Sequence, residues 1–587
     1  MIVLKSMALS VPRALLPKTF VNGSVITRAC ASILLVLWVL FSAGDVQATS
    51  AVRASKAMVA TAQPLATAAA LDVLKKGGNA ADAAIAAQWV LNVVEPQSSG
   101  LGGGGFFLFY DAKTKRVYCL DGRETAPHDA TADMFLDQNG QPFPFFPTRN
   151  TGGLPVGVPG TLRLLKMAHE RFSNKQMSFE SLFQPAIDIA EKGVLVSSRL
   201  SRMIDGQKER LRLFPESKRI FLNGDGQALE PGTLLQQIDL AKTFKLLQEK
   251  GLSFFYEGEL ADAIVNAVRF APFHPGRLTR QDLFYYTVKE RDGVYGRYRG
   301  YDLLSMGPPS SGGVTLFEAL NILSNFDLGR MSRKGYFAHV FSEAQKLAFQ
   351  DRNVYLGDPD FSKIPLSYLL SENLAREQFS KIQANSIVPI KSGVVTDPGA
   401  HTSHISIVDE EGNMVAFTTT IEHIFGSAMI VPGYGFFLNN ELTDFDAGPF
   451  PPKDALPPNA AGPEKRPRSS MTPLFVFKDG KPFLAAGSPG GSTIIVTMLN
   501  ILVNMLDFHM SVENAVKEPK IMNRDGATEL ETALFVQTKL RDSLTARGHT
   551  VVRNAFYGNA QVIEFDAENG VLVGVSDPRG EGKAEGY

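Results

Sequence analysis

The sequence predicts an α+β fold in which packed sheets are covered by helices. Three observations point there. The last third of the chain is rich in strand pairs joined by short glycine-containing loops. The first two thirds carry several helical patterns separated by shorter extended runs. Strand patterns occur in both halves and are flanked by helices, and such elements bury their apolar faces by stacking in layers.

Taken in order, Pro64 to Lys76 reads as a helix closed by Gly77-Gly78, a C-terminal glycine signal. Ala80 to Val94 is a second, alanine-rich helix. Gly100 to Gly104 is a loop, followed by a strand over Phe106–Tyr110 and another over Arg116–Leu120. Amphipathic helical spacing recurs through residues 160–270, as in Thr161–Arg171 and Leu240–Lys250. Tyr336 to Asp351 is a further helix, and residues 384–401 have no periodicity and read as a mobile loop. Strands are predicted over 403–408, 414–421 and 434–438. The hairpin Phe475–Phe477/Pro482–Ala486 turns at Asp479-Gly480, helix Thr493–Leu506 follows a glycine-rich loop, and Gln561–Asp566/Val571–Val575 forms a last hairpin.

The 587 residues carry a net charge of −1 and 44% hydrophobic residues, enough for a large core and no reason to expect nucleic acid. The first 48 residues differ. Lys5, Arg13, Lys18 and Arg28 precede the first acid, Asp45; an apolar run Ile33–Phe41 is short for a bilayer; Val46-Gln47-Ala48 supplies small residues at a cleavage spacing. This predicts a signal peptide with a long basic region, Met7 being an alternative start, rather than a membrane anchor, and hence a periplasmic or secreted bacterial protein with no stable membrane span. Only Cys119 remains beyond residue 48, so no internal disulfide is expected. The nine histidines show no metal-ligand spacing of the His-Glu-x-x-His kind.

The segment His401-Thr402-Ser403-His404-Ile405-Ser406 is the most informative. Ser403–Val408 alternates as a strand, Glu410-Glu411-Gly412 suits a three-residue hairpin loop, and Met414–Ile421 returns. With Asp409 facing Asn413, Thr402 falls opposite Thr420, where two hydroxyls can meet across the strands. A threonine whose own free α-amine serves as its base is a strong nucleophile. That arrangement requires the His401–Thr402 bond to be cut, which suggests self-processing.

That segment resembles the processing site of the γ-glutamyltranspeptidases, members of the N-terminal-nucleophile hydrolases. The resemblance runs through nearly all of residues 55–587. It includes Gly77-Gly78-Asn79-Ala80-Ala81-Asp82-Ala83, Gly100-Leu101-Gly102-Gly103-Gly104, Asp121-Gly122-Arg123-Glu124, Gly157-Val158-Pro159-Gly160, Pro308-Pro309-Ser310-Ser311-Gly312-Gly313, Arg466-Pro467-Arg468-Ser469-Ser470-Met471 and Gly487-Ser488-Pro489-Gly490-Gly491-Ser492. It implies a four-layer αββα sandwich of N-terminal-nucleophile hydrolase type. It also implies a precursor split into a large subunit, 49–401, and a small subunit, 402–587, forming one intertwined catalytic unit.

By this resemblance Thr402 is the nucleophile and Thr420 holds its hydroxyl; β-propensity alone would also place threonine at 420. Gly490 and Gly491 precede a helix, where main-chain N–H groups can bind an oxyanion; a plain glycine turn is the bland reading. Arg123, Ser469 and Ser470 resemble a clamp for a substrate α-carboxylate, against a surface ion pair of Arg123 with Glu124 and a polar loop at the serines. Asp444 and Glu441 would bind the substrate α-ammonium, or form a solvated acidic loop. Glu422 stands where many relatives carry Asn, and Glu441 where some carry Gln. Phe445–Lys465 resembles a lid but is proline-rich and lacks Tyr. His401 and His404 flank the cut as structural or processing residues.

The implied activity is γ-glutamyl transfer from glutathione or another γ-glutamyl donor to water, an amino acid or a peptide amine, through an ester on Thr402, with no cofactor and no metal. A cephalosporin-type acylase, a poly-γ-glutamate enzyme and an uncleaved binding protein are the alternatives.

Overall fold

The computed structural model describes residues 51–332, 334–391, 400–450, 456–554 and 558–587. The predicted signal peptide, the stretch 392–399 before the predicted cut and residues 451–455 of the predicted lid lie outside the described residues.

Two seven-stranded antiparallel sheets form the centre. The first runs, edge to edge, Lys583–Gly586, Met58–Thr61, Ala400–Val408, Met414–His423, Gly104–Asp111, Arg116–Asp121 and Lys289–Arg291. The second runs Val52–Ala54, Val571–Ser576, Gln561–Asp566, Lys481–Gly487, Leu474–Lys478, Tyr301–Ser305 and Val294–Tyr298. Strands from before and after residue 401 are therefore mixed within both sheets.

Side-chain alternation along the strands sorts three apolar layers. Ile405, Ile407, Val415 and Phe417 point outward from the first sheet onto helices that include Pro64–Lys75 and Ala80–Val94. Phe106, Leu108, Met414 and Ala416 meet Phe475, Ala485 and Ile563 between the sheets. Leu474, Val476, Leu484 and Val562 point outward from the second sheet onto helices Gly312–Leu323, Gly335–Tyr355 and Thr493–Leu506. This is the expected four-layer αββα order.

Local chemistry fixes the helices and turns that frame the site. Helix Ala80–Val94 is buried along its whole length; its many alanines let neighbours approach, and Asn79 and Asp82 form a capping box. Gly77 ends the preceding helix at φ +91°, where a Cβ would be strained. Gly412 at φ +83° closes the hairpin after Thr402, and Asp409 N–H donates to Asn413 O at 3.1 Å, so these two residues do face each other.

One predicted strand is absent. Residues 434–438 make only isolated bridges, Ile430 with Phe437 and Gly102 with Leu438. Gly433 and Gly435 lie at φ +78° and +75°, outside strand geometry, and a Cβ on Gly435 would come within 2.5 Å of Leu240 N. The predicted helix Leu240–Lys250 belongs to a longer one, Ile238–Tyr256, that bends at Gly251 (φ +69°). Part of the predicted mobile loop 384–401 is anchored: Glu343 accepts from Val388 N at 2.5 Å, Lys346 donates to Val388 O at 3.0 Å and Gln350 to Pro389 O at 2.8 Å.

Candidate active site

Thr402 stands directly opposite Thr420, the pairing that the hairpin predicts. Its hydroxyl donates to Thr420 Oγ1 at 3.4 Å, and Thr420 Oγ1 also accepts from Glu422 N at 2.9 Å. Both threonines are buried. Immediately before Thr402 the register slips, since Ala400 pairs with His423. Two steps on one strand match three on the other, so a β-bulge lies across from the His401–Thr402 peptide. Glu422 within it takes φ +75°, a left-handed conformation uncommon for a non-glycine residue. The bulge is tied on both sides: Ile421 N donates to Ser98 O at 3.2 Å and His423 N to Asn440 Oδ1 at 3.0 Å.

Thr402, His404 and Ser406 share the face turned toward the second sheet. His404 Nδ1 meets Thr418 Oγ1 at 2.8 Å and Nε2 meets Ser406 Oγ at 3.1 Å, while Ser406 Oγ donates to Gln561 O at 3.0 Å. Burial pushes His404 down to about 3, so the imidazole is neutral at working pH. A Cβ on Gly487 would come within 2.2 Å of the His404 ring. That contact sets the end of strand Lys481–Gly487 against the Thr402 strand, and the turn carrying Gly490 and Gly491 (φ +128° and +56°) leaves from there into helix Thr493–Leu506.

The charged residues gather around Arg123, which is buried rather than on the surface. Its guanidinium pairs with Glu441 and Asp444, and Nε donates to Pro467 O at 3.2 Å. Glu441 and Asp444 lie three apart in a single 3₁₀ turn, where such positions eclipse and present both carboxylates to one side. Burial works against the Arg123 charge, but Glu441 and Asp444 outweigh it and hold its pKa above the usual value. Burial raises Glu441 to about 7 although Arg123 pulls it down. Glu124 is also fully buried and touches Glu441; desolvation, then the Glu441 charge, raises it well above the carboxylate range. Two adjacent acids in a dry site disfavour each other's ionisation, and burial pushes both toward the neutral form.

Ser469 and Ser470 lie on the segment whose carbonyls Arg123 contacts. Ser469 Oγ accepts from Met471 N at 3.2 Å, its carbonyl accepts from Ser311 Oγ at 2.6 Å, and Ser470 Oγ accepts from Arg352 at 2.8 Å. Glu422 is held by the Asn440 amide, and Asn439 Oδ1 accepts from both Gly157 N (2.9 Å) and Glu441 N (3.0 Å). Asn440 thus links the bulge beside Thr402 to the turn carrying Glu441 and Asp444. Asn459, in the predicted lid, donates to Asp444 O at 2.8 Å.

Sequence reasoning missed Glu124, Arg352 and Asn440. It also found no metal-ligand spacing, yet the fold brings His339, Glu343 and His549 together. There His339 Nδ1 meets His549 Nε2 at 2.7 Å, and Lys346 donates to Glu343 at 2.7 Å, so a resident cation already pairs with the carboxylate.

With this geometry established, comparison with known proteins places the chain among them. The family model described as "Gamma-glutamyltranspeptidase" matches residues 66–587. The glutathione hydrolase proenzyme of Bacillus subtilis (strain 168) is 40% identical over 552 residues, spanning 90% of this chain and 91% of that protein. Among solved structures, the cephalosporin acylase from Bacillus halodurans superposes with a TM-score of 0.81 at 29% identity, covering 92% of this chain and 97% of that one. The Helicobacter pylori γ-glutamyltranspeptidase gives a TM-score of 0.52 at 37% identity, covering 56% of this chain and 92% of that one.

Proposed function

The chain belongs to the γ-glutamyltranspeptidase family, and from that premise we propose that Thr402 is the residue on which its chemistry turns. The protein is a γ-glutamyltransferase and glutathione hydrolase. Thr402 Oγ first attacks the carbonyl carbon of His401. The amide C–N bond breaks, the nitrogen becomes the Thr402 α-amine, and water cleaves the resulting ester, freeing the carboxylate of His401. The large subunit ends at 401 and the small one begins at 402. Both keep strands in both sheets.

In the processed enzyme the α-amine is the base. Its ordinary pKa of about 7.7–8.0 leaves a useful neutral fraction near pH 7. It takes the Thr402 hydroxyl proton as the oxygen attacks the donor's γ-carbonyl, and returns a proton to the leaving amine. Thr420 orients the hydroxyl, and the main-chain N–H groups of Gly490 and Gly491 meet the oxyanion. A γ-glutamyl ester on Thr402 remains until water, an amino acid or a peptide amine takes the acyl group.

The observation that carries the donor assignment is the pairing of buried Arg123 with buried Glu441 and half-buried Asp444. A zwitterionic amino-acid head can exchange with it charge for charge. Its carboxylate takes the Arg123 fork with Ser469 and Ser470, and its ammonium takes Asp444 and Glu441, with Glu422 adding negative charge nearby. A donor with a carboxylate alone would take Arg123 from both acids and strand the buried Glu441, which is costly. A glutaryl-type acyl donor, with a carboxylate and no ammonium, lacks that head. The basic and apolar pattern of residues 1–48 supports export to the periplasm or outside space. Among the described residues no helix is long and apolar enough to cross a membrane.

Turnover of a γ-glutamyl anilide against the matching glutaryl anilide tests the assignment. The γ-glutamyl compound should be strongly preferred, and Asp444→Asn should shrink the preference by losing activity on it. Equal turnover of the two by the unmodified enzyme would remove Asp444 from ammonium recognition and favour an acylase.

A further inference from the structure

The strand that carries Thr402 is gripped unevenly. It pairs with Met414–His423 along its length, but with Met58–Thr61 only from Ile405 to Val408. Residues 402–404 therefore have a backbone partner on one side alone, and a cut before Thr402 turns this overhang into a chain end, where fraying concentrates. On the face turned toward the second sheet, His404 and Ser406 hold the strand. The opposite face has one polar anchor near the end. Ser403 Oγ donates to Glu95 Oε2 at 2.6 Å, with both side chains buried.

Glu95 is placed by the fold rather than by the strand. It follows helix Ala80–Val94, and its N–H donates to Leu91 O at 2.8 Å. The turn it opens is closed by Ser98 N to Glu95 O at 2.9 Å. The same turn grips the partner strand at the bulge: Ile421 N donates to Ser98 O at 3.2 Å and Phe425 N to Gln97 O at 3.0 Å. One rigid turn thus holds the nucleophile strand through a side chain and its partner through the backbone. Burial raises Glu95 to about 7, Arg199 and Ser403 pull it back, and Glu581 adds to the rise. Arg199 and Ser403 are thus the groups that favour this carboxyl in its buried place beside the nucleophile strand.

We propose that Glu95 is a positioning residue for Thr402, pinning the freed N-terminus of the small subunit through Ser403. This rests on Thr402 being the nucleophile. The contact lies one residue and one sheet face away from the reacting atoms, so its loss should let the terminal residue sample other positions while the donor's head group stays bound. Misplacement of a reacting group by about 1 Å can cost ~100-fold in rate.

The test uses the processed, full-length enzyme with a γ-glutamyl anilide as donor. Glu95→Ala and Ser403→Ala should each lower kcat by about 10- to 100-fold with KM within about twofold. Glu95→Gln, whose amide oxygen still accepts from Ser403, should recover most of the loss. The double variant Glu95→Ala/Ser403→Ala should be no slower than the worse single one, because both remove the same contact. Multiplying effects in the double variant, or Ser403→Ala at full kcat, would overturn the proposal. If Glu95→Ala does not fold, Ser403→Ala and Glu95→Gln decide it alone. Full turnover by Thr402→Ala would instead overturn the nucleophile assignment, an outcome separate from any of these.

Discussion

The face of the strand around Thr402 and the cluster around Arg123 are built on opposite principles. On that face the polar groups are neutral: the hydroxyls of Thr402, Thr418, Thr420 and Ser406 and an imidazole held neutral by burial. Their places are set by strand register, and an error of one residue would turn every one to the other sheet face. Around Arg123 a buried guanidinium sits beside its neighbour Glu124 and against Glu441 and Asp444 from one distant turn. Their places are set by charge balance. Chemistry that begins with a hydroxyl and an amine gains from fixed geometry in a site of low charge. Recognition of a zwitterion gains from buried charges that any other ligand leaves unpaired. Asn440, bonded to Glu422 and His423 of the bulge and adjoining the turn that carries Glu441 and Asp444, joins the two.

The largest expected effect comes from breaking the neutral region. Thr402→Ala should leave one uncut chain without γ-glutamyl transfer, read on a denaturing gel and by anilide release. Efficient cleavage at 401–402 in that variant would mean that another protease does the cutting. Breaking the charged region should look different. Arg123→Lys keeps the charge and loses the fork, so KM for glutathione should rise ~10- to 100-fold while the precursor still processes. An unchanged KM in a correctly processed variant would take Arg123 out of the site. If processing failed along with binding, the two regions would not be separable in the way drawn here.

The smallest effect sharpens the comparison, because it concerns a charge lodged under the neutral strand. Glu95 is raised from 4.5 to about 7 by burial. Between those values the folded chain keeps a proton that the unfolded chain has released, so stability falls as pH rises through the window. The loss attributable to Glu95 is of order 3 kcal/mol. Glu95→Gln has no such titration. Melting temperatures at pH 5, 6, 7 and 8 should show the variant gaining on the unmodified protein as pH rises, and parallel curves would contradict a raised Glu95.

How much of this the sequence disclosed depends on the range of each interaction. The hairpin register was legible because a period of two and one glycine at a three-residue loop suffice to set it, and Thr402 lies opposite Thr420 as they require. The position of the turn at Asp479-Gly480 was legible too; both residues take positive φ, 51° and 72°. The strand expected at 434–438 failed because aromatic and apolar residues there suggested extension, while Gly433 and Gly435 spend their freedom on left-handed turns. Strands Met58–Thr61 and Lys583–Gly586 are too short to carry a pattern, and the first is buried on both faces, which erases alternation. In the site, Arg123, Glu441, Asp444, Ser469 and Ser470 came from motif resemblance. Glu124, Glu95, Arg352 and Asn440 did not, since each acts on a partner far along the chain or across a loop, and no local spacing signals such a contact. The cluster of His339, Glu343 and His549 shows the same limit, with two members one helical turn apart and the third supplied by the fold.

The mixing of early and late strands within both sheets has a consequence for what a cut at 401–402 creates. The boundary between the two pieces is the interior of the protein itself, not a surface on which finished parts dock. Separating them would expose the three apolar layers, so their affinity is a folding free energy under another name. Dilution to concentrations at which ordinary heterodimers fall apart should leave the activity of this one intact. Once heat has parted the halves, each is an incomplete set of strands, and their reunion becomes a bimolecular refolding problem that the uncut chain never faced.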